Sequence, residues 1–273
     1  MKRELIDKYY VKDRLPHMWC PGCSNGIATG AIVEAIDGLK LDPDKVIIVS
    51  GIGCSSRAPS YLKFDTLHTT HGRALGFAEG IKMANPELEV IVISGDGDAS
   101  AIGGNHLIHA ARRNIGITMV VFNNDIYGMT GGQYSPTTPY GARSATTPYG
   151  NIDRCFDLCT LAGAAGATYT ARSTVYHVKQ LVKFIENGIK NDGFSLIEAL
   201  SICPTQYGRK NKMGNPVAML DYIRDNSISI EKAKKLNDEQ LKGKFITGEF
   251  KFQPEPEYSK KYEALIKRIQ SNA

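Results

Sequence analysis

The chain has 273 residues, 42% of them hydrophobic, which is enough for one large core or a core with an appended arm. A net charge of +5 without a compact Lys/Arg block argues against nucleic acid and makes only a weak case for a small acidic partner. Residues 1–19 mix acids and bases, so neither a secretory signal nor a transit peptide is expected, and no run approaches bilayer length; a soluble, cytoplasmic chain with reduced thiols follows, whose six cysteines need an explanation other than disulfides.

Met1 to Trp19 reads as an irregular lead-in to Cys20-Pro21-Gly22-Cys23. Such a CxxC is a redox pair, half of a zinc site or half of an iron–sulfur site, and the lack of a strand before Trp19 weakens a thioredoxin-like reading. From Ser24 the pattern turns helical, with Ile27, Ala31, Ile32, Ala35 and Ile36 on one face and Ser24 or Asn25 as the cap. An apolar strand, Val46 to Ile52, runs into Gly51-Ile52-Gly53-Cys54-Ser55-Ser56, which puts a third cysteine at a strand end. Thr66 to Thr70 reads as a short strand, and His71-Gly72-Arg73 opens a helix over Ala74 to Met83. There His71 and Arg73 either hold a phosphate or acidic group through charge, dipole and N–H donors, or are a capping histidine and a surface arginine. His68 falls on the other alternation and reads as structural.

Residues 90–133 carry the sharpest chemistry. Val90 to Ser94 and Ile117 to Phe122 are short β-branched runs, as expected of strands buried in a parallel sheet, and Ser100 to Asn114 is long enough to be the crossover helix of a βαβ unit. The first run ends in Gly95-Asp96-Gly97-Asp98 and the second in Asn123-Asn124-Asp125. Neighbouring parallel strands open their carboxyl ends on one crevice, so Asp96 and Asn124 are expected to face each other across it. A carboxylate, an amide oxygen and a loop carbonyl such as that of Ile126 suit Mg²⁺, which takes its remaining oxygens from water and a phosphate. Gly95 and Gly97 lack the Cβ atoms that would keep a diphosphate from the backbone N–H groups. GDG alone is common in turns; GDG followed at this interval by NN resembles the thiamine diphosphate motif.

Tyr127, Gly128, Met129 and Thr130 begin a loop that continues through SPTTP to about Gly150, too rich in Gly, Pro and Thr for regular structure. Because it starts at the expected metal site, it reads as a cover for the cofactor and a lining for the substrate pocket. Asp153 to Gly163 reads as a helix carrying Cys155 and Cys159, a pair better explained as small core residues than as metal ligands. Ala167 to Arg172 reads as a strand, Val175 to Ile189 as a helix capped by Ser173 or Thr174, and Phe194 to Ile202 as the final strand, ending in Cys203-Pro204. The composition then turns polar, dividing the chain into a core, 1–210, and a C-terminal arm, 211–273, that packs on the core or on another subunit. The expected fold is α/β, an open, mostly parallel sheet with helices on both faces and an extended arm. Cys20, Cys23, Cys54 and Cys203, at a helix mouth and two strand ends, form a thiolate set that leaves zinc and iron–sulfur both open; an electron carrier beside a thiamine cofactor makes more sense of it.

WCPGC, GIGCSS, HTTHGRALGFAEGIK, the GDGD to NN unit, YGMTGGQYSPTTP and SICP, in this order and at these intervals, resemble the β subunit of the 2-oxoacid:ferredoxin oxidoreductases over about residues 15–210. The nearest branch, by YGMTGGQ and SPTTP, is the 2-oxoglutarate (KorB-type) one. The resemblance implies a thiamine diphosphate-binding domain with Mg²⁺ on Asp96, Asn124 and the Ile126 carbonyl, and one [4Fe-4S] cluster on Cys20, Cys23, Cys54 and Cys203. It also implies that Ile52, Gly53, Ser55, His71, Gly72, Arg73 and Ala74 contact cofactor or substrate, and that Gly97 and Asp98 touch the diphosphate. The implied reaction is CoA-dependent oxidative decarboxylation of 2-oxoglutarate, or carboxylation of succinyl-CoA in reverse, with electrons passing to ferredoxin; pyruvate and branched-chain 2-oxo acids are the alternative substrates. Some broad-range members carry a lysine where this chain has Gly131, so recognition of a distal carboxylate is expected from elsewhere, such as a partner.

In such enzymes the carboxylate that activates the aminopyrimidine lies in a separate pyrimidine-binding domain, for which this chain is too short. The activating glutamate is therefore expected on an α subunit, with or without γ and δ subunits, which completes the site of this catalytic β subunit, and no catalytic residue is assigned in this chain. Two competing readings remain: a thiamine-dependent decarboxylase or synthase fragment, which has no use for four convergent cysteines, and a zinc-stabilised assembly subunit in which the GDG loop is only a turn.

Overall fold

In the computed structural model, which describes residues 3–271, the β-branched runs become the inner strands of one sheet. In chain order the strands are β1 (Val46–Ser50), β2 (Asp65–His68), β3 (Glu89–Gly95), β4 (Ile117–Asn123), β5 (Ile126–Tyr127), β6 (Gln133–Tyr134), β7 (Tyr169–Thr174), β8 (Ser195–Leu200), β9 (Ser227–Ser229) and β10 (Phe245–Phe252). Eight of them form a sheet in the order β2-β1-β3-β4-β8-β7-β10-β9, and β5 with β6 forms a separate small hairpin. The six strands from β2 to β7 are mutually parallel, and β10 is antiparallel to β7. The expected open, mostly parallel sheet is therefore present.

The helices are α1 (Arg3–Tyr9), α2 (Asn25–Gly38), α3 (Ala74–Ala84), α4 (Gly104–Arg113), α5 (Leu158–Ala165), α6 (Val178–Lys190), α7 (Pro216–Asn226), α8 (Ile230–Ala233), α9 (Asp238–Leu241) and α10 (Tyr258–Ser271). Successive strand residues point to opposite faces, and each face buries its own set. Ile91, Ile93, Val120 and Phe122 pack under α2 and α6. Val90, Val92, Met119 and Val121 pack under α3, α4 and α5. No helix among the described residues is long and apolar enough to cross a membrane.

From β1 the chain goes outward to β2, then returns on the far side of β1 as β3. At such a reversal the connections leave in opposite directions and open a crevice at the carboxyl ends of the strands. The segments after β1 and β3, Ile52–Ser55 and Asp96–Asp98, meet there.

Several elements depart from the pattern read in the sequence. The lead-in is not irregular throughout: α1 places Tyr9 in the core, and Leu5 and Ile6 pack against it; Met1 and Lys2 lie outside the described residues. The hydroxyl of Ser24 does not cap α2 but accepts the Ile202 N–H at 2.8 Å, and the Asn25 amide is buried without a partner. The crossover after β3 is a π turn, Asp98–Ile102, followed by α4. Cys155 is not helical: Asp157 caps α5 through the Thr160 N–H at 2.9 Å, which leaves Cys155 exposed in the preceding loop while Cys159 is buried. The Thr174 hydroxyl accepts from the N–H groups of Tyr176 and His177, a local turn that delays α6 to Val178. Phe194 to Ile202 is not the final strand, because β10, far along the polar C-terminal segment, joins the sheet beside β7.

Candidate functional site

The carboxylate of Asp96 is buried at the carboxyl end of β3. Its Oδ2 accepts hydrogen bonds from Ser135 and, at 2.8 Å, from Thr137, two hydroxyls brought back over the crevice by the loop after β6. Burial raises its pKa to about 6, against the pull of those hydroxyls. Asn124, just past the end of β4, lines the same crevice, and its Oδ1 is buried with no hydrogen-bond partner among the described residues. An orphaned amide oxygen beside a desolvated carboxylate is the arrangement that a hard cation with oxygen ligands relieves, and Ile126 lines the crevice next to them.

The rest of the crevice is lined by the glycine turn after β3, the segment after β1 and the β5–β6 hairpin. A Cβ on Gly97 would lie 2.3 Å from Cζ of Tyr127, whose hydroxyl donates to the Gly97 carbonyl at 3.0 Å, so only glycine fits under that ring. The carboxylate of Asp98 is turned into the wall, where it accepts from Ile52 N at 3.2 Å, Gly72 N at 2.7 Å, Ser94 Oγ at 2.6 Å and His71 Nδ1 at 2.5 Å. That carboxylate therefore ties the loops after β1 and β2 to β3. With Nδ1 donating to Asp98, the His71 ring is oriented and stays partly exposed at the crevice, edge-on to Tyr127.

Nearly all the predicted contact residues come together here: Ile52, Gly53 and Ser55 after β1; His71 after β2; Gly95, Gly97 and Asp98 at and after the end of β3; and Tyr127, Gly128, Met129 and Thr130 from the hairpin. Three do not line the crevice. Gly72 and Ala74 lie behind the Asp98 wall, and Arg73 points along the surface, its Nη1 2.7 Å from His106 Nε2. The loop thought to lack regular structure begins as the β5–β6 hairpin. Ser135 and Thr137 were missed as site residues; their signal was the run of hydroxyls in SPTTP directly after the expected metal site.

Two of the cysteines, Cys54 after β1 and Cys203 after β8, stand at the crevice beside Gly128. Cys54 lines it, and a Cβ on Gly128 would lie 3.6 Å from the Cys54 sulfur and 3.4 Å from that of Cys203. Burial pushes the Cys23 thiol up to about 12, and the neighbouring Cys203, Cys54 and Cys20 add to the rise. Burial likewise pushes Cys54 to about 11, helped by Cys203 and Cys20. All four thiols therefore converge closely enough to feel one another's charge. Still, among the described residues no three His, Cys, Asp or Glu side chains gather tightly enough to hold a single metal ion. Trp19 packs beside them and donates its indole N–H to the Cys54 carbonyl at 2.6 Å. Cys155 and Cys159 take no part: Cys159 is buried beneath the sheet against Glu198, and Cys155 is exposed.

Residues 51–199 match the family model described as "Thiamine pyrophosphate enzyme, C-terminal TPP binding domain". The chain is 52% identical over 264 residues to the 2-oxoglutarate synthase subunit KorB of Methanocaldococcus jannaschii, covering 97% of this chain and 98% of that one. It is 47% identical over 189 residues to the 2-oxoacid:ferredoxin oxidoreductase subunit beta of Saccharolobus solfataricus, covering 68% of this chain and 62% of that one. Among solved structures it is similar to the 2-oxoglutarate:ferredoxin oxidoreductase from Magnetococcus marinus with 2-oxoglutarate, coenzyme A and succinyl-CoA bound. The TM-score is 0.86 and the identity 32%, over 99% of this chain and 92% of that one.

Proposed function

This chain belongs to the β subunits of the 2-oxoacid:ferredoxin oxidoreductases, and on that premise we propose that it binds thiamine diphosphate through Mg²⁺ and carries one [4Fe-4S] cluster in an enzyme acting on 2-oxoglutarate and coenzyme A. The observation that carries the reading is the unpartnered, buried Oδ1 of Asn124 facing a crevice lined also by Asp96 and Cys54. Asp96, Asn124 and the Ile126 carbonyl would hold the cation, and the floor at Gly95 and Gly97 would admit the diphosphate. Cys20, Cys23, Cys54 and Cys203 would hold the iron. When bound, the thiamine cofactor supplies the nucleophilic carbon for cleavage next to the 2-oxo group, and the cluster supplies a one-electron sink.

The residues present suit both groups. Four neighbouring cysteines offer the all-thiolate ligand set that an iron–sulfur cluster takes. Asp98 keeps the Ile52 and His71 segments in place beside the crevice, and the Tyr127 ring covers Gly97. The enclosed part of the crevice measures only about 100 Å³, whereas sites that bury a whole cofactor run to roughly 300–1,000 Å³. A second wall is needed, which supports an α subunit that completes the pocket and supplies the activating carboxylate.

Co-expressed with its partner, the protein is expected to be brown and to reduce a viologen dye only when a 2-oxo acid and coenzyme A are both present. A colourless, iron-free complex overturns the cluster. In a substrate panel 2-oxoglutarate is expected to lead, and strong preference for pyruvate overturns the substrate assignment.

A further inference from the structure

The buried ion pair between Arg172 and Glu198 has no role in the cofactor reading. Both residues lie inside the sheet, where Arg172 on β7 is the register partner of Glu198 on β8, and Val121 on β4 partners Glu198 on its other side. Two residues beyond Val121, and so on the same face, is Asn123. Glu198 Oε2 accepts from Arg172 Nε at 2.7 Å and from the Cys159 thiol at 3.7 Å, while Oε1 accepts from Asn123 Nδ2 at 2.7 Å. Arg172 Nη2 also reaches Asp157 Oδ1 at 2.8 Å, which anchors the pair to the start of α5.

These contacts decide which way the Asn123 amide faces. Turned over, its oxygen would meet the Glu198 carboxylate and its NH₂ would meet the Asp125 N–H, which now donates to Oδ1 at 3.1 Å. Held as it is, Asn123 Oδ1 stands 3.0 Å from Thr137 Oγ1, and the same hydroxyl stands 2.8 Å from Asp96 Oδ2, its single proton shared between the two. A continuous path therefore runs from Arg172 through Glu198, Asn123 and Thr137 to Asp96. Taking two charges out of water leaves an ion pair no better than a packed apolar pair, so burial alone does not account for these residues. Fixing one orientation of a polar chain does.

We infer that Glu198, held by Arg172, is a positioning residue for Asp96: through Asn123 and Thr137 it sets the Asp96 carboxylate with Oδ2 occupied and the other oxygen toward the crevice. The inference rests on reading Asp96 as an Mg²⁺ ligand. The test uses the assembled complex, stripped with a chelator, in which thiamine diphosphate binding is titrated calorimetrically at a series of Mg²⁺ concentrations. Glu198→Gln and Thr137→Val are each expected to weaken the Mg²⁺ dependence roughly 10- to 100-fold, the usual penalty for losing an outer partner of a ligand. The double variant should be no worse than the poorer single one, because both cut the same path. Thr137→Ser should restore binding, and iron content should match wild type in every variant. Should Glu198→Gln fail to assemble, Arg172→Lys, which keeps the charge but loses the two-pronged contact, is expected to show the same shift. Wild-type Mg²⁺ dependence in these variants, or losses that simply add, overturns the positioning role. If the unmodified complex shows no Mg²⁺-dependent binding, the reading of the site itself fails, and the positioning role with it.

Discussion

Around Asp96 the chain supplies its own partners. Two hydroxyls hold one carboxylate oxygen, Asn123 backs one of those hydroxyls, and the Asn124 oxygen alone is left over. Across Gly128, the sulfurs of Cys23 and Cys54 have few partners: an N–H from Asn25 at Cys23, the Arg57 charge near Cys54, and one another. On the proposed reading, the first region is preorganised and has room for a guest at one remaining valence, whereas in the second the guest itself would be the organiser. Loss of a ligand should therefore be graded in the first region and close to all-or-none in the second.

The largest effect is expected from Cys203→Ser, which removes one of the four thiolates that would hold the cluster. Dye reduction should fall by roughly two orders of magnitude or more, while thiamine diphosphate affinity stays within about twofold, as measured by turnover and calorimetry on one preparation. Parallel loss of both would merge the two regions into one and break the contrast. Asp96→Asn comes next: the geometry survives but the charge does not, so Mg²⁺-dependent binding should weaken roughly 10- to 100-fold with iron content unchanged. Gly97→Ala forces a Cβ into the Tyr127 ring and should destabilise the chain by about 1–3 kcal/mol in denaturant melts, with weaker cofactor binding.

The smallest effects are in pH dependence, and the two regions differ there as well. Asp96 has its pKa raised from 3.8 to about 6, so the folded, cation-free chain favours its protonated form. Stability from that source is present below pH 3.8 and lost as pH rises through about 6, while the cation needs the carboxylate; Mg²⁺ affinity should climb between these values and level off above. The thiols act at the other end. Cys23 and Cys54 are raised from 9.0 to about 12 and about 11, so an iron-free chain keeps this stability below pH 9.0 and loses it toward pH 11–12. Thermal melts of iron-free and iron-loaded protein should diverge above pH 9.0; coincident curves would remove the thiols from the argument.

Much of the first region is legible in the linear chain, because a βαβ unit is local. GDGD and NN end adjacent strands of one unit, so spacing alone brings Asp96 and Asn124 to one crevice. The supporting groups are harder to read. Ser135 and Thr137 stand in a conspicuous loop, yet nothing local says that it folds back onto Asp96. Arg172 and Glu198 carried a signal that went unused: a charge in each of two otherwise buried strands, YTARST and SLIEAL, calls for a partner. Cys155 was misplaced because apolar spacing continues upstream of α5, whereas the cap at Asp157 ends the helix there.

By itself the sequence determined the class of fold and the strand ends that bring Asp96, Asn124 and Cys54 to one crevice, since β-branched runs and turn glycines are properties of short stretches. Tertiary structure alone decided that β8 inserts between β4 and β7, bringing Glu198 to Asn123, and that β10 returns from the polar tail to extend the sheet. These pairings join residues far apart along the chain. They are settled by how helices cover two faces of one sheet, a global packing condition that no local pattern encodes.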